Sequence, residues 1–261
     1  MLEQNPLYEK NIHNKIKLTE SFCHKLLTKN YENIEVPDIP LRDIECLPPK
    51  LHPNKIGLSQ KQGLARLLHD LASIELQAME LGLRTLIEFQ DQSQEFKEQL
   101  VNIVLDENKH LQLCLEAIDS LGFNWGDWPT HNVLWQATSR EDSFLDRLLI
   151  VHNFLEGSGL DASDKIQSRL FHCQHKPTLY AIKTIADEEI GHVQFGTHWY
   201  KKHCASLKLD PNKDFHERLF SLYKALPRRL EKLNYKNRKK AGFTDENLKS
   251  LKEFQDLQRQ L

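Results

Sequence analysis

The sequence predicts an all-α protein built on four long helices, paired into two hairpins and joined by a long crossover. Three observations lead there. Apolar residues recur at helical spacing, with little interruption, from about residue 62 to 121 and again from about 141 to 200. Alternating β-branched runs, the signature of strands, are scarce. Finally, the two halves repeat one arrangement: a glutamate (Glu75, Glu156), then 32 or 33 residues later a second glutamate with a histidine three positions on (Glu107 and His110, Glu189 and His192).

The elements run in chain order. A short amphipathic helix is expected near residues 8–29. Five of the ten prolines then fall between Pro37 and Pro53, which predicts an extended arm. The four long helices are expected at about 62–90, 94–121, 141–172 and 177–205. Asp91-Gln92-Ser93 is a polar turn between the first two, and Pro177 suits the first turn of the fourth. Residues 122–129, rich in turn formers and tryptophan, begin the crossover. After Pro211 two further helices are expected, at about 213–233 and 244–260, the second capped at Thr244. The regions are 1–61 (helix and proline-rich arm), 62–205 (four-helix bundle) and 206–261 (helical extension), in one globular unit.

Bulk properties exclude several classes. A chain that is 39% hydrophobic and 28% charged has enough apolar residues for a core, so it is not disordered. A net charge of -2 gives no global attraction to nucleic acid or membrane, so any such attraction is local. No run of 18 apolar residues exists and the N-terminus lacks a signal-peptide core, which predicts a cytoplasmic protein that does not span a membrane. The five cysteines are scattered without a C-x-x-C pair, as expected of reduced thiols.

With 37 acids and 13 histidines in 261 residues, acid-x-x-His arises by chance about twice, and it occurs twice. The motif alone is uninformative, and only its surroundings give it weight. Glu75 and Glu107 have their midpoint at residue 91, inside the expected turn, and Glu156 and Glu189 have theirs at about 172.5, beside the second turn. Residues equidistant from the turn of an antiparallel helix pair lie level, so each half sets a lone glutamate beside a Glu-x-x-His pair on the adjoining helix.

Register agrees. Leu64, Leu68, Leu71, Glu75, Ala78 and Gly82 share one buried stripe, as do Ile103, Glu107, His110, Cys114 and Ala117. Leu149, His152, Glu156 and Gly159 form the third, and Ile182, Ile185, Glu189, His192 and Gly196 the fourth. Four inward carboxylates without compensation would cost more than the ~5–15 kcal/mol of a domain's net stability. Two divalent cations balance them, and carboxylate plus imidazole suits iron or manganese. Glu75, Glu107, His110, Glu156, Glu189 and His192 are thus the expected metal ligands. The 19-residue connection at 122–140 can reach roughly 60 Å, enough to run the length of the bundle, which is ferritin-like topology.

Over residues 62–205 the sequence resembles the ferritin-like di-iron carboxylate superfamily, in which two helices give one Glu each and two give Glu-x-x-His. Within and beyond that span, Leu68-His-Asp-Leu-Ala-Ser-Ile-Glu-Leu-Gln-Ala-Met-Glu80 and Arg238-Lys-Lys-Ala-Gly-Phe-Thr244 resemble an uncharacterised bacterial family described as a ferritin-like domain of unknown function. That family favours a histidine just before its Ile-Glu, where this chain has Ser73. The superfamily pattern implies that Asp106 orients His192 and Glu188 orients His110.

Several residues keep two readings. His69 and His152, on or beside the stripes, are either structural histidines or supports for a metal-bound group, or else further ligands; the first is favoured because six ligands already complete the pattern. Gly157 and Gly159 mark either close helix packing or a local bulge beside the metals. Between Lys224 and Lys240, Arg228, Arg229, Lys232, Lys236, Arg238, Lys239 and Lys240 form either a solvated face or a patch for a phosphate-bearing substrate. Some ferritin-like hydroxylases act on modified tRNA, so by analogy tRNA is one such partner.

The expected function is an oxygen-dependent di-iron oxidoreductase, a hydroxylase or monooxygenase, with Glu75, Glu107, Glu156 and Glu189 carrying the chemistry. It implies two Fe ions (or Mn/Fe, or Mn), O2 as co-substrate, an external electron donor, a small-molecule or nucleotide substrate, and a monomer or homodimer. The alternatives are a non-catalytic metal storage or detoxification protein and an RNA-binding module.

Overall fold

A computed structural model describes residues 5–28, 34–229 and 231–260. Every regular element among them is helical. Besides two 3-10 turns (Pro6–Tyr8 and Pro49–Leu51), in chain order these are α1 (Ile12–Leu27), α2 (Lys61–Glu88), α3 (Gln94–Ser120), α4 (Val133–Gln136), α5 (Phe144–Leu148), a π-helical segment (Leu149–Glu156), α6 (Gly157–Arg169), α7 (Lys176–Ser206), α8 (Pro211–Ser221), α9 (Tyr235–Lys240) and α10 (Asp245–Gln260). The contacts divide them into two compact units: Met1–Trp135 with Leu170–Thr184, and Gln136–Arg169 with Ile185–Leu261.

In the first unit α2 and α3 form the predicted hairpin. The turn falls at 89–93, and Ser93 caps α3 by accepting from the Phe96 amide. Gly82 makes close packing possible: a Cβ there would stand 2.4 Å from Val104 Cγ2. Asn11 caps α1, whose apolar face buries Ile12, Ile16, Phe22, Cys23 and Leu26. The predicted end of this helix at residue 29 lies outside the described residues.

The arm is irregular coil up to Pro48 and then makes a 3-10 turn at Pro49–Leu51, and polar contacts hold it in place. Lys15 Nζ donates to Glu80 Oε1 at 2.5 Å and to the Leu41 carbonyl at 2.8 Å, while Arg42 Nη2 donates to Glu80 Oε2 at 2.5 Å. The side chains of this triad are 3% exposed or less. The arm also meets the crossover, where Leu47 N donates to Thr130 O at 2.8 Å and Thr130 N to Glu45 O at 2.9 Å. Gln77 Oε1 on α2 accepts from the Leu134 amide at 3.1 Å, anchoring the far end of the crossover.

In the second unit a capping box of Ser143 and Asp146 starts α5. The helix expected at 141–172 thus begins at Phe144, passes through the π segment and ends at Arg169. The helix expected at 213–233 is corrected: α8 stops at Ser221, a turn comes next in which Ala225 N donates to Leu222 O, and α9 starts only at Tyr235. Pro227 explains the break, since it has no N–H and disfavours helical geometry at Leu226; residue 230 of that expected helix lies outside the described residues. Thr244 caps α10 as predicted, its Oγ1 accepting from Asn247 N at 3.0 Å while Thr244 N donates back to Asn247 Oδ1.

Candidate metal centre

All six expected ligands are buried. In the first unit α2 supplies Glu75 and α3 supplies Glu107 and His110, brought level by the hairpin. His110 Nδ1 lies 3.3 Å from Glu75 Oε2 and 3.5 Å from Glu107 Oε2. One ligand atom from each residue falls within 4.8 Å of the other two, a spacing that can hold a metal ion.

Electrostatics mark this group as one suited to a cation. Burial, and then the charge of Glu107, push the Glu75 carboxyl well above the usual carboxylate range. Burial works against a charged His110, but bonding to Glu107 and Glu75 outweighs it and raises the imidazole to about 11. Cys114, one turn beyond His110, is fully buried and its thiol is pushed up by burial and by Glu75, so it is an inert core group.

In the second unit the π segment carries His152 and Glu156, and α7 carries Glu189 and His192. His192 Nδ1 lies 3.6 Å from Glu189 Oε2. His152 donates from Nδ1 to Glu156 Oε2 at 2.8 Å. Close packing is seen at the glycine pair, and a π segment precedes it. The π segment is a bulge immediately before them, and each glycine also leaves room for a functional group. A Cβ on Gly159 would lie 3.2 Å from Glu189 Oε1, and one on Gly157 would lie 2.8 Å from Arg238 Nη1. Gly196 on α7 does the same for His152, whose Cβ would be 2.3 Å away.

Arg238 departs from the expected basic patch. It is 1% exposed and holds Asp161 through Nε at 2.9 Å and Nη2 at 2.7 Å. Its Nη1 donates to the Asn153 carbonyl at 3.2 Å, giving a partner to backbone that lies in the π segment. Lys239 pairs with Asp245. Arg228 and the lysines 232, 236 and 240 remain at or near the surface, while Arg229 lies over the Phe154 ring at 6.0 Å. The patch is thus smaller than the charge count implied.

Of the other expected contacts, Asp106 is half-exposed and pairs with Lys109 at 2.8 Å, and Glu188 is half-buried on α7. His69 serves the crossover: its Nε2 accepts from the Gly126 amide at 3.2 Å and its ring stacks on Trp125 at 4.8 Å. Burial lowers its pKa to about 4, the partial opposition of Asp70 notwithstanding. Sequence reasoning missed the Arg238–Asp161 pair and the Lys15–Glu80–Arg42 triad.

Fold and site together describe an all-helical protein with buried carboxylate–histidine groups able to hold metal. The chain belongs to the family described as "Protein of unknown function (DUF455)", which matches residues 8–249. An uncharacterised protein of Haemophilus influenzae is 30% identical to it over 206 residues, covering 74% of this chain and 69% of that one. No solved structure matches this chain. Among the described residues no helix is long and apolar enough to cross a membrane.

Proposed function

We propose that this chain is a ferritin-like, two-metal carboxylate protein that uses O2 to hydroxylate a substrate. The observation that carries the reading is the buried group of Glu75, Glu107 and His110, whose ligand atoms lie within 4.8 Å of one another. Two carboxylates and an imidazole are a donor set suited to iron or manganese. The second half repeats it at the level of sequence, with Glu156 matching Glu75 and Glu189–His192 matching Glu107–His110. Two divalent cations would then balance four buried carboxylates.

A bound pair of iron or manganese ions would supply the electron transfer to O2 that no side chain provides. The chain's own residues do the rest. Glu75, Glu107, His110, Glu156, Glu189 and His192 would hold the ions, the two imidazoles as neutral donors and the four carboxylates balancing the charge. The apolar walls of α2 and α3, including Leu68, Ala72, Leu111 and Met79, exclude water. Inserting one oxygen atom into a C–H bond and reducing the other to water takes two electrons and two protons from an external donor.

The test is oxygen uptake. Metal-free protein loaded anaerobically with two equivalents of Fe(II) and mixed with O2 is expected to consume it in a burst faster than free Fe(II), and Glu107→Ala is expected to lose the burst. Uptake no faster than free Fe(II) would count against the oxygen reading. A particle of a couple of dozen subunits by size-exclusion mass would favour storage instead.

A further inference from the structure

The two halves match in their ligands but differ at one neighbouring position. Four residues before Glu75 stands Leu71; four residues before Glu156 stands His152. The carboxylates behave accordingly. Glu75 turns across its hairpin, with Oε2 3.3 Å from His110 Nδ1. Glu156 instead turns back along its own helix, accepting from His152 Nδ1 at 2.8 Å. Glu75 thus joins a group whose ligand atoms lie within 4.8 Å of one another, whereas among the described residues Glu156 joins no such group.

His152 is built into place. It is 1% exposed, its ring meets Phe195 edge-on at 5.0 Å, and its Cβ sits where Gly196 leaves room. Its Nε2 is buried with no hydrogen-bond partner among the described residues, so the bond to Glu156 is the polar contact that fixes the ring. The π segment carries both residues, and Arg238 secures its backbone at the Asn153 carbonyl.

We propose that His152 is a holding residue that makes the two metal positions inequivalent. The Glu75–Glu107–His110 position fills first. Glu156 can join the ion at Glu189 and His192 only by leaving His152, so that ion is held more weakly and exchanges more readily. This rests on the two-metal reading above. A hydrogen bond to a charged group that must be given up costs the second ion about tenfold or more in affinity.

The experiment is a titration of metal-free full-length protein with Mn(II), monitored by electron paramagnetic resonance and calorimetry. Wild type is expected to bind two ions in separate steps, the second at least tenfold weaker. His152→Leu, which copies Leu71, is expected to tighten the second step about tenfold and leave the first unchanged. Glu156→Gln is expected to keep the first ion and lose the second. A second step unchanged or weakened in folded His152→Leu overturns the proposal, and a lost second step would mean that His152 itself binds metal. If His152→Leu does not fold, Leu71→His, which sets the same residue over Glu75, is expected to weaken the first step by a similar factor; an unchanged first step there also overturns it. Wild type that binds no Mn(II), Fe(II) or Co(II) would instead remove the two-metal reading, and this inference with it.

Discussion

Nδ1 of His110 lies 3.3 Å from Oε2 of Glu75, on the adjoining helix of one hairpin, with both side chains buried. The contact joins residues 35 positions apart, and it exists because the turn at 89–93 falls midway between Glu75 and Glu107. A turn shifted by a few residues would leave Glu75 level with apolar side chains and the three ligands apart.

Metal uptake must release protons. His110 sits at about 11 in the metal-free protein and is protonated at pH 7, and Glu75 is also raised, so an ion binding their lone pairs displaces at least one proton. Affinity should therefore rise with pH between 6 and 8. Titration in unbuffered solution with a pH-stat measures the release; binding without it would contradict the coupled group.

His69 should make the protein acid-sensitive. Its folded pKa of about 4 lies below the ordinary 6.5, so the folded state resists protonation and stability falls as the pH drops from 6.5 through 4. The loss is about 3 kcal/mol at full protonation. His69→Gln keeps an acceptor for Gly126 and should flatten that limb of the urea-stability profile. An unaltered limb would show that other groups set it.

Arg238→Ala should destabilise by about 3–5 kcal/mol, because it removes the cation paired with the buried Asp161 carboxylate, which keeps only the Asn234 amide among these contacts, and the donor to the Asn153 carbonyl. Arg228→Ala, at an exposed residue of the same basic run, should stay within about 0.5 kcal/mol. Urea melts of the two variants give the comparison, and equal effects would mean that Arg238 is no anchor.

Gly82→Ala should cost about 1–3 kcal/mol despite the better helix propensity of alanine, since its Cβ would stand 2.4 Å from Val104 Cγ2. Val104→Ala removes the obstructing methyl groups. The double variant should therefore be more stable than the sum of the singles predicts, and strict additivity would argue against the close approach.

The hairpin of α2 and α3 was legible because periodicity and the turn residues 91–93 pointed the same way. The capping of α10 at Thr244 was legible for a similar reason, being local chemistry. The break after Ser221 was underread: Pro227 is itself the signal, and the basic run around it masked the loss of apolar periodicity. The π segment has no such signal, since π and α helices differ in hydrogen-bond register and not in which residues are apolar. Arg238 was misread for a related reason. Charge counted along a sequence does not reveal that Asp161, 77 residues earlier, removes one cation from the surface. Lys15, Arg42 and Glu80 escaped notice because ion pairs across long separations leave no spacing pattern.

If these buried carboxylates and histidines hold metal, metal content shows it most directly. Protein purified anaerobically and analysed by plasma mass spectrometry should carry close to two iron or manganese ions per chain after loading, with Glu107→Ala retaining substantially less while still folded. Wild type holding only trace metal, or Glu107→Ala binding as much as wild type, would contradict the account.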